Sequence, residues 1–531
     1  MATEIRFTEP SVPRQSRDST KIPSHPLTEQ DRTLPNQIPT HVAAIDLGSN
    51  SFHMIICSLK DGKLQTVDKI KEMVRLAAGL DSDKNLDSDT QQRALACLER
   101  FGQRISHLPQ NSVSIVGTNT LRSAKNAQQF ISKAEKALGH PIHIISGIEE
   151  ARLIYQGVAH SLASNGNHRF VMDIGGSSTE YIIGLHDTAH TKESLNMGCV
   201  TVSQNFFKKG EISRKAFRKA CLFAEQHLEP FQDKFNSRQW QEAIGASGSL
   251  KAINSVLQAS GWSNNGITLE GMEQLVNQLL LLKQVDEINF AGLSAERKPV
   301  FIGAVAIVYA TFKTLNIQQM TVSDGALREG LIYDLLDRIY DHDIRSQTSQ
   351  IIAERYHADR KHSEQLKQTL RFIAHQLKEH PSFKDHQISL QFLEWAADLH
   401  EIGFEIAHSQ YHKHSAYIIE NGDLAGFSKQ DQLILSKLVR SHRKKLNLSH
   451  FADLVAPWKQ NAPILAIVFR LACLLHRNRH SDWVEFKIKI KEQTIELDFP
   501  ENFFEQAPLT YADLKQEIDY LNDAGFTLSL K

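Results

Sequence analysis

The chain has 531 residues, 41% hydrophobic and 23% charged, with a formal net charge of -1. That length holds several domains. The balanced charge excludes a globally basic binder of nucleic acid, so any anion site has to be local. Five cysteines without paired metal-type spacing fit a reducing, cytoplasmic setting better than a disulfide framework. No stretch reaches the roughly 18 apolar residues that span a bilayer.

The first forty residues are polar and proline-rich and read as a disordered leader. Order is expected from His41. The run Val42–Ile45 is a short buried strand that breaks at Asp46-Leu-Gly-Ser-Asn-Ser51, and a second apolar run covers Phe52–Leu59. Lys60-Asp-Gly-Lys63 reads as a hairpin turn. Helical periodicity over Ser88–Ile105 precedes a strand at Ser112–Val116 and the segment Gly117-Thr-Asn-Thr-Leu-Arg122. A strand near Ile142–Ile145 leads into a helix opening at Gly147-Ile-Glu-Glu-Ala-Arg152.

The opening pattern then returns. Asp173-Ile-Gly-Gly-Ser-Ser178 follows the run Phe170–Met172, and Asp173, Gly175 and Ser178 fall on Asp46, Gly48 and Ser51 at one offset of 127 residues. Two copies of strand, acidic Gly/Ser turn and strand suggest a pseudo-symmetric pair of lobes facing a cleft. A third small-residue turn, Gly245-Ala-Ser-Gly-Ser249, opens a helix at Leu250, and Ser323-Asp-Gly-Ala-Leu-Arg-Glu-Gly330 precedes a helix to about Tyr340. Beyond Asp341 more than half of the 25 histidines fall between His342 and His480, with helical runs at Ser363–Lys378, Leu390–His400 and Lys429–Val439. After Ser481 the period becomes two at Val484, Phe486, Ile488 and Ile490. Thr494–Phe499 continues the strand signal, and Leu514–Leu521 reads as a closing helix.

The small-residue turns carry the chemistry. Gly48 lets backbone approach a ligand, while Ser49, Asn50 and Ser51 add donors that suit phosphate oxygens. Asp46 at the strand end suits a divalent cation. One such turn alone is more often structural. Three of them, at Gly48–Ser51, at Gly175, Gly176, Ser177 and Ser178, and at Gly245, Ser247 and Gly248, are what a polyanion clamped between two lobes requires. Glu149 and Glu150 by themselves suit a helix N-terminus, and Arg122 suits either a phosphate or a structural carboxylate.

Asp46–His53, Gly117–Arg122, Ile145–Ile154, Asp173–Glu180, Gly245–Gly248 and Asp324–Gly330, in this order and spacing, resemble the motif series of the exopolyphosphatase/guanosine pentaphosphate phosphatase family, most of all that of its long exopolyphosphatases. The resemblance implies an α/β fold of two actin-like, ribonuclease-H-like lobes of the sugar kinase/Hsp70/actin superfamily. An all-α HD-like domain and a small α+β domain would follow. The corresponding bounds are 41–154, 155–340, 341–480 and 481–531. It implies Mg²⁺-aided hydrolysis of a terminal phosphoanhydride, with Glu150 acting on water and Asp173 and Glu180 serving metal and phosphate. The metal set is then Asp46, Asp173 and Glu180. Ser177 departs from a glycine common in the family. It also implies a homodimer.

In the helical region His362, His400-Glu401, His412, His414 and His442 resemble an HD-type ligand series. Glu401 stands where active members have aspartate, so a degenerate scaffold for packing and substrate contact is expected. The basic cluster Arg440, Arg443, Lys444 and Lys445 suits such contact. Inorganic polyphosphate is the expected substrate, with guanosine-5'-triphosphate,3'-diphosphate (pppGpp) as the alternative and a non-catalytic alarmone sensor as the third reading. Arg75–Leu80 and Tyr155–His160 look like the pentaphosphatase branch. Leu438–Lys444 and His412–Ile418 look like the long exopolyphosphatases. A kinase would need an acceptor site that the sequence does not display.

Overall fold

The computed structural model describes residues 39–60, 63–163, 166–340, 343–479 and 485–531. Most of the proline-rich leader, the Asp61-Gly62 turn centre and the Val484 position lie outside them. Thr40–Lys531 forms one compact unit. Its first sheet contains β1 (His41–Leu47), β2 (Phe52–Lys60), β3 (Lys63–Glu72), β4 (Val113–Gly117) and β5 (His143–Ile144), in the spatial order β3-β2-β1-β4-β5. Side chains alternate across a strand, and β1 is buried on both faces. Ala43 and Ile45 join Phe101 and Phe130 of the helices Ser88–Ile105 and Ala127–Leu138. Val42 and Ala44 join Ala151 and Ile154 of the helix Gly147–Ser161. Hence β1 reads as an unbroken apolar run.

The second sheet contains β6 (Arg169–Ile174), β7 (Thr179–Leu185), β8 (Thr188–Leu195), β9 (Glu242–Ala246), β10 (Ile267–Thr268) and β11 (Gln319–Val322), in the order β10-β11-β9-β6-β7-β8. The repeat seen in the sequence is a repeat in register. β1 pairs antiparallel with β2, placing Asp46 opposite His53, and parallel with β4. β6 pairs antiparallel with β7, placing Asp173 opposite Glu180, and parallel with β9. The helix Lys298–Leu315 is long and apolar enough to cross a membrane by composition. It is instead the core helix of this lobe, with Phe301, Val305, Val308 and Phe312 buried.

The C-terminal region is helical from Ile344 to Leu475, including Arg360–Gln376, His386–Leu399, Tyr411–Asn421, Lys429–Ser441 and Trp458–Leu475. A small sheet follows, β12 (Lys487–Lys491), β13 (Thr494–Asp498) and β14 (Thr527–Leu530), in the order β12-β13-β14. The predicted closing helix is present as Pro508–Asp523, but it does not close the chain. Thr-Leu-Ser-Leu returns as β14, parallel to β13. Four residues are too few for a period to show in the sequence; the open edge of β13 and burial of Leu528 supply the reason for the strand. The third turn also begins its helix earlier than expected, at Ser247.

Two helices join the lobes and the helical region. Gly147–Ser161 crosses Leu327–Ile339 so closely that a Cβ on Gly157 would overlap the Ala326 carbonyl, and one on Gly330 the Leu153 carbonyl. Along the same seam Arg152 donates to Glu149 (2.9 and 2.7 Å) and to Asp334 (2.5 Å), and Arg338 pairs with Asp334 at 2.9 Å. Glu149 also accepts from the Gly426 N–H at 3.0 Å, and Arg338 donates to the Gly426 carbonyl at 3.2 Å. A buried ion network of this kind is satisfied only when all partners are present. The helix Gly147–Ser161 itself is capped by Ser146, whose hydroxyl accepts from the Glu149 N–H. Gly157→Val should therefore lower stability by about 1–3 kcal/mol through overpacking. A thermal unfolding scan with near-native far-UV dichroism below the transition checks this; an unchanged midpoint contradicts it.

Candidate active site

Between the two sheets lies a cleft of about 310 Å³ lined by the repeated turns. Asp46 is the penultimate residue of β1 and Asp173 that of β6, each beside its own Gly/Ser turn. Gly48, Ser49, Asn50 and Ser51 come from one lobe. Gly175, Gly176, Ser178, Ser247 and Gly248 come from the other. The turns meet at the base: a Cβ on Gly176 would stand 3.1 Å from that of Ser49 and 3.4 Å from that of Asn50. Thr120 of the Gly117–Arg122 motif donates to Ser49 Oγ at 2.7 Å, which fixes that hydroxyl. Ser247 holds φ at +75°, an uncommon value for a side-chain-bearing residue, and its Oγ accepts from the Ile174 N–H at 3.3 Å. Ser177 is outside the left-handed region, so serine fits that position without backbone strain.

Five carboxylates gather at this space. Asp46, Glu150, Asp173 and Asp324 line it, Asp324 paired with Lys251 at 2.9 Å, and Glu180 stands one layer behind, where its Oε1 accepts from Ser194 Oγ at 2.8 Å. Glu150 is 8%, Asp173 8% and Glu180 1% exposed. Burial, then the charge of Glu180, pushes Glu150 well above the usual carboxylate range, with Arg122 opposing. Burial, then Glu180 and Asp46, raises Asp173 in the same way, and burial lifts Glu180 to about 7. Arg122 lies 3.7 Å from Glu150 Oε2 and donates to the Ile145 carbonyl at 2.5 Å. Its observed partners are thus the Glu150 side chain and the Ile145 carbonyl. Gly245 lies inside the sheet, paired with Met172 and Val322.

Two carboxylate oxygens, Asp46 Oδ1 and Glu150 Oε2, are buried with no hydrogen-bond partner. Unsatisfied, mutually repelling oxygens are the donor set that a hard cation such as Mg²⁺ takes, so the residues fit that group. They form no ready-made cage. Among the described residues, the three-member cluster with ligand atoms all within 4.8 Å is His362, His400 and Glu401.

Sequence reasoning missed the cations of the cleft: Lys71, Lys251, Arg297 and Arg328 all line it. Arg297 lies against Gly248, where a Cβ would overlap its guanidinium. Burial holds Arg297 below its usual value, and burial together with Arg297 does the same to Lys71. Their signal was present but faint: Lys251 follows the third turn directly, and Arg297 precedes the most apolar helix. His53 was also missed as a site residue, although the 127-residue offset maps it onto Glu180. Its Nδ1 is 3.7 Å from Asp46, and Ser51 Oγ meets its Nε2 at 3.0 Å.

The structure does not bring Arg443, Lys444 and Lys445 to the cleft. They follow the helix Lys429–Ser441, whose opposite end holds the first lobe through Gln430 on the Ile144 N–H. Arg443 lies over the Tyr411 ring, and Lys445 pairs with Asp523 at 3.2 Å. Nearby, His362, His400, His412 and His442 are buried. Burial, then the charge of His400, lowers His362 to about 4, and burial first also lowers His400 and His412 to about 4. Glu401 is paired with Arg479 at 2.5 Å, so a guanidinium already supplies positive charge there.

A cleft that sets acids and cations on two copies of one turn, between paired mixed sheets, defines a phosphate-handling enzyme with actin-like lobes. Comparison with known proteins makes this specific. The chain belongs to the Ppx/GppA phosphatase family: the family's main model matches residues 55–339, and the model of its domain III matches residues 344–518. The chain is 38% identical over 490 residues to a guanosine-5'-triphosphate,3'-diphosphate pyrophosphatase of Aeromonas hydrophila, spanning 92% of this chain and 98% of that protein. A protein of the same name from Pseudoalteromonas translucida is 38% identical over 487 residues, 92% and 97% of the two chains. An exopolyphosphatase of Cytophaga hutchinsonii shares the fold, with a TM-score of 0.52 at 24% identity over 56% of this chain and 98% of that one.

Adjacent glutamates thus have opposite duties, and substitution separates them. Glu150→Gln should keep the fold, raise the midpoint of thermal unfolding by removing a repelled buried charge, and cost about a hundredfold or more in turnover. Glu149→Gln should lower the midpoint by breaking its contacts to Arg152 and Gly426. Equal effects of both on stability would refute this division.

The pH response has a definite sign. Carboxyls whose pKa is raised by folding stabilise the folded state while protonated, and that stability is lost as pH rises through their folded values. For Glu180, lifted from 4.5 to about 7, the cation-free protein should lose stability as pH rises from roughly 4.5 to 7 and level off above that. Glu180→Gln should flatten that fall, as read from unfolding midpoints against pH.

Proposed function

We propose that this protein hydrolyses the terminal phosphoanhydride of a linear phosphoryl chain, releasing inorganic phosphate. The observation that carries the reading is the presence, in one cleft, of buried carboxylate oxygens without a hydrogen-bond partner on Asp46 and Glu150 together with Lys71, Lys251, Arg297 and Arg328. Acids alone would suit a metal store, and cations alone an anion binder. Together they suit attack of water on a phosphoryl group.

Glu150 accepts the proton of the attacking water, and Arg122 keeps its carboxylate in place. The turns at Gly48–Ser51 and Gly175–Ser178 hold phosphate oxygens through backbone N–H groups and hydroxyls. The four cations neutralise charge on the phosphoryl chain. Asp46, Asp173 and Glu180 would hold Mg²⁺. When bound, the ion supplies positive charge at the transferred phosphoryl group and eases the repulsion that raises the carboxylate pKa values.

The names of the two relatives matched over nearly their whole length support pppGpp as substrate, giving ppGpp and phosphate. The exposed cations after the helix Lys429–Ser441 support inorganic polyphosphate as well, because only a long chain reaches from the cleft to such distant groups. In this reading the helical region is a degenerate HD-like scaffold that packs and touches substrate without a reaction of its own. The family resemblance adds a homodimer to the proposal, and the five unpaired cysteines suit a cytoplasmic setting.

Phosphate release from pppGpp, long polyphosphate and ATP tests the reaction, and a chain that turns over none of them is a sensor instead. Asp173→Asn and Glu180→Gln should each lower the rate and raise the Mg²⁺ concentration needed for half-maximal activity; an unchanged requirement in both removes them from the metal site. Replacing Arg443, Lys444 and Lys445 by alanine should raise KM for long polyphosphate and leave that for pppGpp unchanged. Equal losses on both would discard the extended grip.

A further inference from the structure

The helical region holds a group of side chains that the reaction in the cleft does not use. His362 stands in the first turn of the helix Arg360–Gln376, and His400 and Glu401 directly follow the helix His386–Leu399. Their ligand atoms all lie within 4.8 Å of one another, and the residues are 5%, 3% and 6% exposed.

The hydrogen bonds leave lone pairs facing this shared space. A carbonyl only accepts, so His400 Nδ1, 2.9 Å from the Ala397 carbonyl, carries the ring proton. Nε2 then presents its lone pair 3.8 Å from Glu401 Oε1. The buried Nδ1 of His362 has no hydrogen-bond partner. Burial, as the first cause, keeps both rings neutral at pH 7, with values of about 4, and a neutral imidazole is the form that ligates a metal. His442 is engaged otherwise: its Nδ1 meets the Val439 carbonyl at 2.6 Å and its Nε2 the Tyr411 hydroxyl at 3.2 Å.

One cation of the chain competes for this place. Arg479 donates to Glu401 Oε1 at 2.5 Å, and its side chain is 43% exposed against 8% for that of Glu401. It also donates to Asp359 Oδ2 at 2.9 Å, while Asp359 Oδ1 accepts from the His362 N–H at 3.1 Å. The guanidinium therefore keeps a partner at the rim when it leaves Glu401. In place it satisfies the carboxylate and leaves His362 Nδ1 unpartnered.

We propose that His362, His400 and Glu401 form a binding site for a divalent transition metal such as Zn²⁺, and that Arg479 is the internal cation the metal displaces. Two imidazoles and one carboxylate suit Zn²⁺, whereas Mg²⁺ takes oxygen ligands, so this site differs in kind from the cleft. A tetrahedral ion with bonds of about 2.1 Å sets its ligand atoms roughly 3.4 Å apart, which small side-chain rotations reach from the observed spacing. With the metal bound, the start of the helix Arg360–Gln376 is fastened to the end of the helix His386–Leu399, and Arg479 rests on Asp359 alone. The inference stands apart from the hydrolytic reading above, because it concerns binding and assigns no reaction to these residues.

The test titrates the full chain with Zn²⁺ in excess Mg²⁺ by calorimetry, and with Co²⁺ followed by its visible d–d absorption. Wild type should take up one Zn²⁺ that His362→Gln and Glu401→Gln bind at least about tenfold more weakly, with far-UV dichroism as the check that both fold. Arg479→Gln should bind Zn²⁺ more tightly, by about threefold to tenfold, because the competing cation is gone. A gain in affinity cannot come from a damaged fold, so this variant decides the matter if the other two unfold. No Zn²⁺ uptake by wild type overturns the assignment. Unchanged affinity in both His362→Gln and Glu401→Gln, or unchanged or weaker binding by Arg479→Gln, overturns it as well.

Discussion

The site depends on one short stretch of helix that is held from two sides. Glu149 and Glu150 are consecutive, so their side chains leave the helix about 100° apart. Glu149 turns to Arg152 and the Gly426 N–H, and Glu150 turns to the cleft. A carboxylate pushed well above its usual range by burial and like charge would relax away from the others if its backbone were free to move. The seam of Gly157 and Gly330 and the chain Glu149–Arg152–Asp334–Arg338 remove that freedom. Repulsion inside the cleft is thus maintained by attraction just behind it, and Glu149 and Arg338 of the same network tie the helical region to the lobes through hydrogen bonds with the Gly426 backbone.

Pseudo-symmetry explains why the two halves of the cleft look alike and act differently. Asp46 and Asp173 hold equivalent positions in equivalent sheets. Opposite them stand His53 and Glu180, so one half faces its aspartate with an imidazole and the other with a second acid. The excess negative charge therefore collects toward the second lobe, near Glu150. In the proposed reaction a cation between the lobes would be drawn to that side, and a phosphoryl chain would be balanced by Lys71 from one lobe and Arg297 and Lys251 from the other.

The helical region shows how little a ligand pattern decides alone. Its histidines are buried and held neutral, as metal ligands would be, and His362 and His400 stand with Glu401 in a tight group. Yet Arg479 already sits on Glu401. A cation is present in the form of a side chain, which satisfies the carboxylate without chemistry. The basic run after Val439 likewise finds local partners in Tyr411 and Asp523.

What the sequence determined by itself was whatever recurs locally. The repeat at Asp46 and Asp173, the small-residue turns and the helix Ser88–Ile105 were legible, because turn chemistry and hydrophobic period are properties of neighbouring residues. The family was legible for the same reason, through motifs kept in order along the chain. Tertiary structure alone decided which charges meet. Arg297 is nearly fifty residues from Gly248, yet their contact closes one wall of the cleft. Arg122, which suits a phosphate or a carboxylate, reaches Glu150, and Arg443–Lys445 stand away from the cleft, beside Tyr411 and Asp523. Strand β14 exists because β13 offers an edge. Charge and backbone pairing act through space, and a one-dimensional pattern carries no record of distances between residues far apart in the chain.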